Sequence, residues 1–373
     1  MRVLHVISDS NIGGAGVLLT SLLRNFDSAR VQSTVAIPEG SALRGRLETL
    51  GVPMRVLHAP ADRYSMASIR ELCHMIRETE SEIVHANAAL NARIAGKRCG
   101  VRVLHTRHCC FPVTGIWRFP PMRYLGGAYN RRLSDRVIAT AEAAATDLSA
   151  LGIARDRIDV VINGSEEVRA VGEDELARLR QRWGLRKEDF VVGICARLEE
   201  YKGHEVFLRA ARLLIERLPH LRLRFLIVGT GTRLVALERM ASSLGISPWV
   251  TFCGFVEDMA PIYRLLRVNV NCSHGTETSC LALSEGMSAG VPCVVSDYGG
   301  NRAMVEESEA GTVFPVGDAV ALADAVARIA TDPVLEARMK KAAYARYLEH
   351  YTAKEMTDRV TEIYEGLMHL GHS

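Results

Sequence analysis

Short runs of aliphatic and β-branched residues alternate with helical stretches over the first 165 residues, and after a polar interval the same alternation begins again. The first series is RVLHVIS, STVAIP, EIVHAN, VRVLHT, RVIAT and DVVI, with helices expected at 15–25 and 66–79 between them. The second is FVVGICA, LRFLIVG, VTFCGF, VNVNCS and PCVVSD, entered through the polar, helix-leaning stretch 166–189. Strands this apolar, each followed by a helix, are buried on both faces of a parallel sheet. The expected fold class is therefore α/β, with two doubly wound parallel-sheet domains, 1–165 and 166–349. A pair of C-terminal helical segments follows from Pro333, and the last of them, about 350–370, is expected to cross back onto the first domain. Two such domains would face each other across a central cleft at the carboxyl ends of their strands, where open α/β sheets bind ligands.

A chain of 373 residues exceeds what one hydrophobic core usually supports, which agrees with two domains. Its nine cysteines form no CxxC pair, and several lie within apolar runs such as VVGICA and VPCVV, so buried thiols in a reducing cytoplasm are expected rather than structural zinc. The opening MRVLHVIS is too short for the apolar region of a signal peptide, and no run of about 18 apolar residues follows. A soluble, unexported chain is the expectation. The net charge of +3 is unevenly divided: residues 1–165 carry 21 Lys and Arg against 14 acids (+7), and residues 166–373 carry 25 against 29 (−4). The first half is thus suited to an anionic partner.

Four motifs fall at expected strand ends. In SDSNIGGAGVLL, Gly13 and Gly14 let the backbone approach a ligand and precede a helix whose amides could take phosphate, though a tight strand-to-helix turn explains them equally. Gly229 in VGTGTRL is open to the same two interpretations, and neither cluster has the GxGxxG spacing of a dinucleotide site. In ICARLEEYKGHEVF, Arg197 closes a strand and Lys202 follows in a turn capped by Gly203. The two cations could hold a diphosphate, or could be solvated surface charges. In SHGTETSCLALSEG, Glu277 is placed in a loop and Glu285 nearly two turns down a helix starting near Ser279, with the amides of Ser279, Cys280 and Leu281 facing the cleft. Glu277 could accept hydrogen bonds from a sugar and Glu285 from a ribose diol; alternatively they complement the helix dipole and face solvent.

The order of these blocks resembles the retaining glycosyltransferases of family 4, which have the GT-B fold of two Rossmann-like domains. EGMSAGVPCVVSDYGG and the E-x7-E spacing of Glu277 and Glu285 carry the resemblance most strongly, with ARLEEYKG beside them. It implies that Arg197 and Lys202 bind the donor diphosphate, Glu277 contacts the transferred sugar and Glu285 holds the nucleotide ribose. Gly14 would approach the diphosphate or the acceptor. Thr278, Ser279 and Cys280 replace the usual Gly-aromatic-Gly, so the sugar pocket is shaped differently and donor preference does not carry over. Asn163-Gly164 resembles the family's hinge-side turn. His108, in VRVLHTRHCCFP, matches the position of an active-site histidine expected to contact the sugar or orient the acceptor; His85 is a weaker candidate for lining the same cleft.

Between Arg93 and Arg136 ten Arg or Lys and a single acid, Asp135, are interleaved with Phe111, Trp117, Phe119, Tyr124 and Tyr129. This segment could dock on an anionic membrane surface, or could be a basic loop covering the first sheet. Nucleic acid is not expected, because no helix-turn-helix, RNP or zinc-finger pattern occurs. The expected function is transfer of a sugar, with retention, from a nucleotide diphosphate sugar (UDP by family habit) to a hydroxyl of a glycan or lipid-linked acceptor in polysaccharide or glycolipid synthesis. Glu277, His108, Arg197 and Lys202 are the candidate catalytic residues. The chain lacks a D-x-D triplet, so no metal and no other cofactor is expected. The expected location is the cytoplasm, with peripheral attachment to the inner face of the plasma membrane. The alternatives are an inactive sugar-nucleotide-binding or scaffolding subunit, or a GT-B epimerase or phosphorylase.

Overall fold

The computed structural model describes residues 1–10, 13–60, 64–108, 119–275, 277–306 and 309–369. The chain divides into two compact units, Met1–Ser165 with Ala353–Ser373, and Glu166–Thr352. The return to the first unit therefore begins at Ala353, just after the position expected at 350. Cys109, Cys110, Phe111 and Trp117, part of the basic and aromatic segment, lie outside the described residues.

The first unit runs β1 (Arg2–Ile7), α1 (Gly14–Asn25), β2 (Gln32–Pro38), α2 (Arg44–Thr49), β3 (Met54–Leu57), α3 (Met66–Glu78) and β4 (Ile83–Asn87). It continues through α4 (Leu90–Arg98), β5 (Arg102–Arg107), α5 (Pro120–Leu133), β6 (Arg136–Ala139), α6 (Glu142–Ala150) and β7 (Ile158–Val160). Its seven strands are parallel in the order β3-β2-β1-β4-β5-β6-β7. The second unit runs α7 (Glu173–Trp183), β8 (Phe190–Cys195), α8 (His204–Arg217), β9 (Leu223–Val228), α9 (Leu234–Ser243), β10 (Val250–Gly254), α10 (Ala260–Leu265) and β11 (Val268–Asn271). After these come α11 (Leu281–Ser288), β12 (Cys293–Ser296), α12 (Asn301–Val305), β13 (Gly311–Phe314), α13 (Ala319–Thr331) and α14 (Pro333–His350). Six parallel strands take the order β10-β9-β8-β11-β12-β13. Both sheets reverse direction of winding next to their first strand, between β1 and β4 and between β8 and β11. This switch leaves a crevice beyond the carboxyl ends of the flanking strands.

Burial explains the sequence pattern. Every residue of β4 and β12 is buried, because helices cover both faces of each sheet. On one face of the second sheet Val192, Ile194, Phe225 and Val270 pack against Phe207 and Leu208 of α8, with Phe207 and Phe225 edge to face at 5.9 Å. On the other, Val191, Leu226 and Val228 meet Tyr263 and Leu266. Among the described residues no helix is long and apolar enough to cross a membrane. Cys73, Cys99, Cys195, Cys253, Cys272, Cys280 and Cys293 are free thiols.

The C-terminal helix α15 (Ala353–His369) belongs to the first unit, and a buried aromatic cluster fastens it there. The ring of Tyr364 lies 5.7 Å from His85, 5.9 Å from Phe26 and 6.4 Å from His5. Nδ1 of His85 pairs with the Tyr364 hydroxyl at 2.6 Å and Nε2 with the Thr106 hydroxyl at 2.6 Å. Both ring nitrogens are thereby engaged, and His85 is a core residue rather than the cleft residue expected from its place near a strand end. Arg30 and Glu365 add an exposed pair at 2.6 Å.

Burial holds the His5 pKa down at about 3, and lowers that of His85 well below the ordinary value, the neighbouring His5 and His108 adding to the effect. The folded chain thus refuses protons that the unfolded chain accepts near pH 6.5. Stability is complete above that pH and is lost as pH falls toward the folded values, by about 1.4 kcal/mol per pH unit for each such histidine. Urea titrations at about pH 7 and about pH 5 should show this loss, and His5→Phe should reduce the pH slope by about one proton; an unchanged slope would exclude His5 as a contributor.

Candidate functional site

The candidate residues of the second unit gather at its switch point. β8 ends at Cys195, two residues before Arg197, so Arg197 lies in the following turn and does not close the strand as expected. A single 3-10 turn, Glu200–Lys202, then leads through Gly203 into α8. Gly203 sits at φ 70°, and a Cβ there would lie 2.2 Å from the carbonyl oxygen of Cys272. Only glycine allows the turn after β8 to press this closely on the loop after β11. The same contact is closed by a backbone bond from His274 N to Tyr201 O at 2.9 Å.

This apposition brings the key charges together. Nζ of Lys202 donates to Oε2 of Glu277 at 2.6 Å, and the Ser273 hydroxyl donates to the same oxygen at 2.7 Å. The side chains are only 16% and 9% exposed. Burial alone would lower the Lys202 pKa, but the Glu277 charge and the hydrogen bond raise it overall, so the ammonium persists at neutral pH. Arg197 is exposed and donates from Nη2 to the Tyr201 hydroxyl at 2.5 Å. The Tyr201 ring lies between the two cations, 5.9 Å from the Arg197 guanidinium carbon and 5.6 Å from Lys202 Nζ. Tyr201 was not among the sequence candidates; its place beside Lys202 in EEYKG was the available signal.

The loop after β9 locks against the turn after β8. Gly229 adopts φ 138°, and a Cβ there would lie 2.1 Å from the Ala196 carbonyl oxygen. Leu198 N bonds Thr230 O at 2.9 Å, and the Thr232 hydroxyl donates to Glu199 Oε2 at 2.9 Å. Gly229 therefore has a close-packing requirement of its own.

Helix α11 begins at Leu281, with extended Cys280 as its N-cap, and not near Ser279. The reason is that Thr278 and Ser279 are buried in the preceding loop, where both have polar partners. The amides of Leu281 and Ala282 open the helix and have no intrahelical acceptor, whereas that of Ser279 belongs to the loop. Glu285 is then the fifth helical residue, little more than one turn in. It is not a solvated position: its Oε2 accepts a 2.7 Å hydrogen bond from the Tyr263 hydroxyl, and burial raises its pKa despite that bond. Tyr263, on α10, is a second partner that sequence spacing does not reveal. Cys280 is a half-buried free thiol, its pKa pushed up to about 12 by burial and then by Glu277.

The remaining candidates belong to the first unit. Gly13 caps α1 and Gly14 is its first residue, both at the carboxyl end of β1. His108 follows β5; burial lowers its pKa to about 4, so the ring is neutral at pH 7, and its Nε2 lies 3.1 Å from Asn87 Oδ1. With that oxygen accepting, Nε2 carries the ring proton. Gly164, of the turn compared with a hinge, directs its amide to the Met356 sulfur at 3.3 Å within the same unit. Of the basic segment, Arg93, Lys97 and Arg136 are held by internal partners, while Phe119, Tyr124 and Tyr129 are exposed on or next to α5.

Comparison with known proteins agrees with this arrangement. Residues 12–169 match the family model "Glycosyltransferase Family 4" and residues 189–332 match "Glycosyl transferases group 1". EpsD of Bacillus subtilis (strain 168), named a glycosyltransferase, is 30% identical over 329 residues, covering 83% of this chain and 84% of that one. A D-inositol 3-phosphate glycosyltransferase of Thermomonospora curvata is 28% identical over 309 residues, 76% of this chain and 71% of its own. Among solved structures, Anabaena Alr3699/HepE in complex with UDP and glucose superposes with a TM-score of 0.85 at 20% identity, over 98% of this chain and 99% of that one. The chain belongs to the family 4 glycosyltransferases, and its two parallel-sheet units are those of the GT-B fold.

Proposed function

We propose that this glycosyltransferase moves a sugar, with retention, from a UDP-sugar to a hydroxyl of a glycan or lipid-linked acceptor in cell-surface polysaccharide or glycolipid synthesis, without a metal ion, on the cytoplasmic side of the membrane. The observation that carries the reading is the largely buried Lys202–Glu277 pair at the switch point of the second sheet. In it, Oε2 of Glu277 is occupied by Lys202 and Ser273, and Oε1 is left to accept from a sugar hydroxyl. The protonated Lys202, the forked guanidinium of Arg197 and the first amides of α11 supply positive character for a diphosphate whose charge grows as the glycosidic bond breaks. Glu285, half-buried against Tyr263, is assigned the ribose hydroxyls, which would donate to it. His108 is assigned to the transferred sugar or the acceptor, as a neutral imidazole. No carboxylate is assigned as a nucleophile, so attack is taken to occur on the face the phosphate leaves. The uridine donor is supported by the UDP and UDP-glucose complexes of the Anabaena protein.

Removing the Glu277 side chain outright would leave the Lys202 charge without its partner, so the isosteric Glu277→Gln is the cleaner test. It should lower kcat by roughly 10²–10³ while the melting temperature rise caused by UDP stays the same. Loss of the UDP response together with activity would instead place Glu277 in nucleotide binding.

Glu285→Gln should raise KM for the donor about tenfold with a smaller effect on kcat, because it weakens a contact made equally in ground and transition states. A kcat effect alone would remove the ribose assignment. UDP release that requires an added acceptor, followed by proton NMR of the product's anomeric centre, tests transfer and retention. A change in the donor's sugar with no net UDP release would favour epimerase chemistry, and an unchanged donor would favour a binding subunit.

A further inference from the structure

The site described above leaves unexplained a cavity of about 850 Å³ in the first unit, at the carboxyl ends of β4 and β5, between α5 and α6. That size is at the upper end of small-molecule sites. Leu90, Leu125, Ala128, Leu148 and Leu151 give it an apolar wall. Among its described lining residues there is no carboxylate, yet three arginines, Arg93, Arg107 and Arg132, face it. Arg93 is buried and makes no ion pair among the described residues. Its Nε donates to Ser134 at 2.9 Å and its Nη2 to Asn130 at 2.8 Å, both neutral acceptors, and Nη1 has no described partner. A buried guanidinium held only by neutral groups is an anion site awaiting its counter-charge. Burial lowers its pKa to about 10, which leaves it charged at neutral pH. The floor includes Ala88, one of few non-glycine residues at positive φ (56°), a strained conformation of the kind that accumulates at ligand sites.

We propose that this cavity binds the acceptor and that the acceptor is a lipid phosphate whose headgroup carries the accepting hydroxyl: an alkyl or prenyl chain lies along the leucine wall, and the adjoining phosphate oxygens meet Arg93, with Arg107 and Arg132 nearer the mouth. Only the word acceptor rests on the transferase reading; the binding itself does not. Apolar walls alone would suit any hydrophobe, and arginines alone any anion. Their combination, with no acid among the described lining residues, selects a molecule that is both. The imidazoles of His105 and His108, kept neutral by burial, leave the cavity's charge to the arginines.

Dodecyl phosphate below its micelle concentration is the probe, titrated calorimetrically into the full chain, with dodecanol, inorganic phosphate and phosphatidate-containing vesicles as parallel arms. Dodecyl phosphate should bind at least tenfold tighter than either dodecanol or inorganic phosphate. Ala128→Trp, which fills the cavity from α5, should weaken it at least tenfold while the UDP-induced rise in melting temperature is unchanged. Should that variant fail to fold, Leu125→Glu, at an exposed position of the rim, gives the same test, and Arg132→Ala should weaken dodecyl phosphate but not dodecanol. Equal binding of dodecanol, undiminished binding to both cavity variants, or binding to vesicles alone would overturn the proposal. Dodecyl phosphate binding without transfer to any hydroxyl-bearing lipid-linked glycan would leave the site standing and remove its acceptor role; transfer to such a glycan without dodecyl phosphate binding would remove the site and leave the transfer reading.

Discussion

The ion pair between Lys202 and Glu277 imposes the strictest demand on the second unit. Withdrawing an ammonium and a carboxylate from water costs several kcal/mol per ion, and their attraction offsets this only when geometry is good and the remaining hydrogen-bonding capacity is used. Here the geometry comes from the sheet: β8 and β11 are parallel neighbours in register, Val268 beside Val192 and Val270 beside Ile194, so their outgoing loops emerge side by side. Gly203 lets the loops touch, the Tyr201 carbonyl and His274 amide fix their separation, and Ser273 takes up a share of the carboxylate. A site held by backbone register in this way is preorganised before any ligand arrives, which is the condition under which fixed charges stabilise a developing one.

Much of the fold was legible because a strand buried on both faces must be apolar along its length. Where that physical demand relaxes, the signal fades. β3 and β13 were not recognised; both are edge strands of four residues with only one buried residue each, and β3 contains Arg55. The start of α11 was misplaced for a related reason. Serine is a favoured helix cap, yet Ser279 is buried in the loop with Thr278 and the cap is Cys280, whose side chain makes no capping bond.

At the candidate site, the charged members could be picked out from spacing and from family resemblance, and their aromatic partners could not. Tyr263 reaches Glu285 from 22 residues away on a different helix, and Tyr364 reaches His85 across 279 residues. Local sequence contains no trace of such pairings, so a solvated position stayed open for Glu285 beside the ribose role, and His85 was compatible with a cleft residue. Tertiary packing removed the solvated alternative, making Glu285 a half-buried, hydrogen-bonded carboxylate, and made His85 a core fastener.

The positive charge of the first half gains a different meaning once its partners are known. In the segment from Arg93 to Arg136, Lys97 pairs with Asp135 at 2.6 Å, Asp135 also takes the Val103 amide, and Arg136 is forked onto Asp159, so these cations brace the ends of β5, β6 and β7. Charge neutralised internally contributes little field at a distance, and exposed charges are screened within about 10 Å at ordinary ionic strength. A formal excess counted along the chain therefore overstates the attraction of this face for an anionic surface. Arg93 is the exception in kind: it is buried with no carboxylate partner among the described residues, in surroundings that screening salt scarcely reaches, and a ligand entering the apolar cavity beside it would feel its charge.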